Sequence, residues 1–120
     1  MIDRAWAERF ANDWIEAWNG FDLNKVLSHY AEDVVFHSPR ITKVMGENVD
    51  FVSGKPALAR YWAKALSQGK DLKFHLERVY VGSDVLSISY RNHRAQHVVE
   101  TFVFGDDGLV KVSTAAYDDL

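Results

Sequence analysis

Two ionisable side chains stand where this chain could move a proton. Glu100 lies in the run VVETFVF, and strand alternation puts it on one face with Val98, Phe102 and Phe104. An apolar face of that kind raises a carboxyl pKa toward neutrality, where the group serves as acid or base. The alternative is a structural carboxylate at a helix–sheet junction, paired with an arginine or an indole N–H. His37, in VVFHSP, has the one side chain whose unperturbed pKa lies near neutrality. Alternation sets His37 with Val35 and Ser38 with Phe36, so only one of His37 and Ser38 faces a pocket. The other role open to His37 is a half-exposed strand end. Tyr90 offers a hydroxyl donor, or one that satisfies a neighbouring carbonyl.

Around these groups stands an aromatic inventory: Trp14, Trp18, Tyr30, Tyr61, Trp62, Tyr90, Phe102 and Tyr117. Any one of them fills core volume at its helix or strand period. Together they can wall a cavity for a small apolar or aromatic molecule, flat or polycyclic. Other chemistries are disfavoured. His93 and His97 are four apart, but in a turn and strand they do not converge, and no Asp/Glu spacing completes a metal triad with them, His29 or His75. No metal is therefore expected. Gly105 and Gly108 belong to a hairpin turn and not to a phosphate cradle, so no nucleotide cofactor is implied. The lack of cysteine excludes disulfides and thiolate chemistry. With net charge −3 and interspersed signs, no basic stripe is available for nucleic acid. The charged start MIDRAWAERF lacks a secretory apolar core, and no later run approaches a membrane span, so a cytoplasmic protein without membrane contact is expected.

The elements that must position these residues can be read from period and punctuation. Ile2, Trp6, Phe10, Trp14 and Trp18 recur every fourth residue, predicting a helix that Gly20 ends. Asp22 caps a second short helix (Leu23, Val26, Leu27, Tyr30), and Val34 to Phe36 switch to strand before Pro39. Arg40 to Gly54 shows no sustained period and is expected to be a long loop with a short strand near Val49 to Val52. Pro56 opens a third helix that Gly69 terminates. Leu72 to Val81, Asp84 to Arg91, Ala95 to Phe104 and Leu109 to Tyr117 read as consecutive antiparallel strands. With 48% hydrophobic residues and two prolines, the 120 residues are expected to form one α+β domain, a curved sheet packed on three helices.

The segments AWNGFDLNKVLSHYAEDVVFHSP, GKPALARYWAKAL, ETFVFGDDGLV and AAYDD, in that order, resemble the NTF2-like superfamily and its SnoaL-like small proteins. The resemblance covers nearly the whole chain. It implies a cone of three N-terminal helices on a curved antiparallel sheet, enclosing a pocket, and often a homodimer through the outer sheet face. Against the ketosteroid isomerases of this fold, the catalytic base falls on Ser38, the helix-one tyrosine on Trp14, the helix-three tyrosine on Trp62, and the hole-forming aspartate on Glu100. A serine hydroxyl does not accept a carbon-bound proton at neutral pH unaided, and an indole N–H donates a hydrogen bond without exchanging its proton usefully. Ketosteroid chemistry by the known mechanism is not expected. Neither is epoxide hydrolysis, whose Asp-Arg-Asp set finds no placement.

Two functions follow from the resemblance and the residues. One is a cofactor-free isomerase, cyclase or dehydratase type of enzyme, with Glu100 as acid or base and His37 as partner, which predicts that Glu100 and His37, or Glu100 and Tyr90, approach a common point in the cavity. Trp14, Trp18, Tyr30, Ser38, Trp62, Tyr90, Phe102 and Tyr117 would then hold the substrate. The other is a non-catalytic ligand-binding or dimerisation module, in which the only ionisable group is neutralised by a structural partner.

Overall fold

The computed structural model describes residues 1–120. Helix α1 (Arg4–Asn19) starts where the Asp3 carboxylate accepts the Trp6 backbone N–H at 3.0 Å. It buries Phe10, Ala11, Trp14, Ile15 and Trp18 along one side. Asp22 caps α2 (Leu23–Leu27) through the Lys25 N–H at 3.1 Å. Strand β1 (Tyr30–His37) follows, and the chain turns at Ser38-Pro39.

The expected long loop contains a helix, α3 (Arg40–Met45), which buries Ile41 and Val44 and closes at Gly46 in the left-handed conformation, φ 73°. Two apolar residues three apart make one helical period, too short to stand out from an irregular sequence. Strand β2 (Phe51–Ser53) and helix α4 (Lys55–Gln68, with Pro56 in its first turn) come next, then β3 (His75–Val81), β4 (Val85–Arg91), β5 (His97–Phe104) and β6 (Val110–Tyr117).

The six strands form one sheet in the order β2-β1-β6-β5-β4-β3. Pairing is antiparallel except between β1 and β6, which run parallel with Phe36 opposite Ser113. That pairing brings the early strand against the last one and sets Ser38 near the end of β6. Register shifts within β1, β3 and β5 add curvature. The core lies between the helices and the inner sheet face, where β5 buries Val98, Glu100, Phe102 and Phe104 as alternation predicts. A curved, unclosed α+β sheet under its helices is the NTF2-like cone. No helix is long and apolar enough to cross a membrane.

Candidate active site

Helices α1 and α4 and the inner sheet face enclose a cavity of about 90 Å³. Trp14 and Trp18 supply its α1 side, Tyr61 and Trp62 its α4 side, and Phe36 and Ser38 the end of β1. Tyr90, Glu100 and Tyr117 line it from the sheet. The walls brace one another: Trp18 meets Trp62 edge to face at 5.0 Å and 87°, and Phe74 meets Tyr90 at 4.5 Å with the rings tilted by 35°. An apolar cavity of about 150 Å³ admits benzene. The space here therefore suits one ring or a short chain, with any larger part of a ligand at the mouth.

Glu100 is 5% exposed and sits between Ile88 of β4 and Ala115 of β6. Its Oε1 accepts the Tyr90 hydroxyl at 3.4 Å, a long and weak bond, and its Oε2 has no partner. No arginine, lysine or indole N–H pairs with it. Burial pushes its pKa up from 4.5 to about 8, against a smaller opposing effect of the Tyr90 hydrogen bond. At pH 7 the carboxyl is mostly protonated. Burial likewise raises Tyr61 to about 12, while the Ser38 hydroxyl and the Arg40 guanidinium oppose the rise.

Of the residues singled out in the sequence, Trp14, Trp18, Ser38, Tyr61, Trp62, Tyr90, Glu100 and Tyr117 line this cavity. Three do not. His37 is exposed on the outer sheet face, opposite Thr114 of β6, with its ring 5.8 Å from that of Phe51, so the expected Glu100–His37 pairing is not formed. Alternation had set His37 and Ser38 on opposite sides, and Ser38 took the inner one. Tyr30 is 1% exposed, and its hydroxyl accepts the Trp14 Nε1–H at 3.0 Å behind the wall. Phe102 is fully buried against Phe10 and Trp14. Both belong to the core under α1: alternation gave Phe102 its face but not what covers it, and Tyr30, expected on the second helix, is instead the first residue of β1, since α2 ends at Leu27.

The sequence reading missed the residues at the mouth. His93, set aside as a metal ligand, lines the cavity with its side chain 12% exposed, and neither ring nitrogen has a hydrogen-bond partner. Its Nε2 lies 3.8 Å from the exposed Asp71 carboxylate. Burial lowers its pKa; Asp71 opposes this, and Arg94 and Arg40 add to it. Arg40 and Arg94 line the same mouth. Arg40 belongs to the unforeseen α3 and His93 and Arg94 to a turn, where no period assigns a face. Six buried side-chain atoms in the protein lack a hydrogen-bond partner, and four of them (Trp18 Nε1, both His93 nitrogens and Glu100 Oε2) belong to residues lining this one cavity. Unsatisfied buried polar atoms are rare, and here they concentrate around one cavity.

Known proteins of this architecture bear out the resemblance. No curated protein matches the chain. Among solved structures, a SnoaL-like protein of unknown function from Burkholderia thailandensis is 36% identical, with a TM-score of 0.90 and 98% of each chain covered. AclR from Streptomyces galilaeus, a candidate hydroxylase, is 17% identical at a TM-score of 0.74, covering 97% of this chain and 91% of its own. A candidate ketosteroid isomerase from Kribbella flavida is 17% identical at a TM-score of 0.66, covering 92% of this chain and 76% of its own. Residues 11–112 match the SnoaL-like domain, and with cone, cavity and sequence in agreement the chain belongs to that family.

Proposed function

We propose that the cavity carries out cofactor-free proton transfer on a small apolar or aromatic molecule, of isomerase, cyclase or dehydratase type. The observation that carries this is Glu100: a buried carboxyl in an apolar cavity, with no cation beside it and Oε2 unpaired. A carboxylic acid that is still protonated near pH 7 can donate to a carbonyl oxygen or a leaving group. His93 is the complementary base, since burial holds its imidazole neutral while burial holds Glu100 protonated. In such a step His93 takes a proton from carbon next to a carbonyl, and Glu100 gives its proton to the carbonyl oxygen. With a β,γ-unsaturated carbonyl compound, His93 then gives its proton to the γ carbon of the dienol and the enol oxygen returns its proton to Glu100, so the double bond moves into conjugation and both groups are restored. Tyr90 donates a long hydrogen bond to Glu100 Oε1 and orients that oxygen, leaving Oε2 free for the substrate. Trp14, Trp18 and Trp62 supply the apolar walls.

The non-catalytic alternative calls for an ionisable group already neutralised by a structural partner, and Glu100 has none. Deuterium uptake decides between the two. Small aryl ketones and β-diketones are incubated with the protein in D2O and followed by NMR. The expected result is incorporation next to the carbonyl at least about a hundredfold faster with the parent than with Glu100→Gln, the range that one acid–base group supplies. If no member of the panel exchanges faster with the parent than with the variant, the protein is a binding module.

A further inference from the structure

We infer that the mouth of the cavity recognises a carboxylate, so that the molecule it takes is a small apolar acid with its hydrocarbon part against the tryptophans and its anionic group between Arg40 and Arg94. Both arginines line the cavity, and neither guanidinium makes an ion pair or a side-chain hydrogen bond within the chain. Acidic residues outnumber basic ones 17 to 14, so two unpaired arginines at one opening run against the composition.

Their backbones are fixed by residues of the same site. The Arg40 N–H donates to Ser38 Oγ at 3.2 Å, and the Arg94 N–H donates to Asn92 Oδ1 at 2.9 Å. The positive field converges on the opening: Arg40 counters the rise of the Tyr61 and Tyr117 hydroxyls, and both arginines disfavour protonation of His93. Asp71 is a carboxylate beside this group, but its side chain is 84% exposed and faces His93 at 3.8 Å, a screened contact that leaves the guanidinium groups free. Arginine suits a planar carboxylate because its N–H groups can donate two parallel bonds. His93, with both ring nitrogens unpaired, adds a further polar contact at the same opening. At the inner end Glu100 is mostly protonated, so it does not repel an anion.

As a statement about substrate this rests on the proton-transfer reading; as a statement about binding it is tested without turnover. Phenylacetate and phenylacetamide differ only in the charge at the head. Their dissociation constants are measured at pH 7 from the indole Nε1–H shifts of Trp18 and Trp62. The parent is expected to bind phenylacetate at least about tenfold more tightly than the amide, a preference that salt reduces. The R40Q/R94Q variant loses the preference to within about twofold, R94Q alone loses part of it, and R60Q, which removes an exposed charge elsewhere on α4, keeps it. Equal binding of acid and amide by the parent, a preference retained in the double variant, or no indole shift with phenylacetate overturns the inference. Deuterium uptake that depends on Glu100 would stand in any of those cases, and the acid preference would stand without it.

Discussion

At the scale of single residues, Glu100 ties stability to pH. Its folded pKa of about 8 lies above its ordinary 4.5, so between those values the folded protein holds a proton that the unfolded chain has released. Stability is then fully present below about pH 4.5 and falls as pH rises, by roughly 1 kcal/mol per unit, until the folded carboxyl ionises near pH 8. Glu100→Gln removes this titration. Urea midpoints across that window should fall with pH for the parent and stay flatter for the variant, the gap widening in favour of glutamine; parallel profiles would mean that the carboxyl is not held protonated. Tyr30 tests the wall behind it. Tyr30→Phe leaves the buried Trp14 Nε1–H without its acceptor at an expected cost of about 1–3 kcal/mol, read from the same midpoints. The sequence showed which face Glu100 and Phe102 take, since β5 alternates as written. It did not show depth: Tyr30 and Phe102 share the inner side with true cavity residues and differ only in what α1 lays over them.

Elements were legible in proportion to the periods they contain. The four-residue aromatic repeat gave α1, and the β-branched runs gave β3 to β6 to within a few residues at each end. One turn of α3 was not legible, and with it went Arg40. The link from β4 to β5 hides a second such feature. The Asn92 N–H donates to the Gln96 carbonyl at 3.0 Å, the Asn92 Oδ1 accepts the Arg94 and Gln96 N–H groups, and Ala95 is left-handed at φ 60°. A glycine at that position would have announced the turn; an alanine does not. Ala95 is exposed, so Ala95→Gly loses little packing while relieving the Cβ strain. The relief outweighs the added freedom of the unfolded chain, and the thermal midpoint should rise by the equivalent of about 0.5–1 kcal/mol. A lowered midpoint would show that the strain is not stored there.

The whole molecule divides into an inner face committed to core and cavity and an outer face with no helix over it. Register aligns one outer row across all six strands: Phe51, His37, Thr114, Thr101, Ser87 and Tyr80. Phe51 and Tyr80 at its two ends are about half exposed, as are Val99 and, slightly less, Val112 in neighbouring rows. Ser87 and Thr101 hydrogen-bond to each other at 2.9 Å instead of reaching out to water. A sheet face carrying exposed aromatic and β-branched side chains is the kind that a second copy covers, by a two-fold axis that sets the same patch against itself. In such a pair the exposed His37, which does not reach the cavity, would lie in the contact between copies. Because the cavity lies on the opposite side of the sheet, such pairing leaves its mouth open. Sedimentation should give twice the chain mass for the parent, and Val99→Asp, which puts a charge on that exposed face, should give a single chain. In an isolated chain that exposed substitution costs up to about 1 kcal/mol and leaves the fold intact, so dissociation and unfolding are told apart by circular dichroism. A parent that sediments as a single chain would leave the outer face to water and His37 without a role.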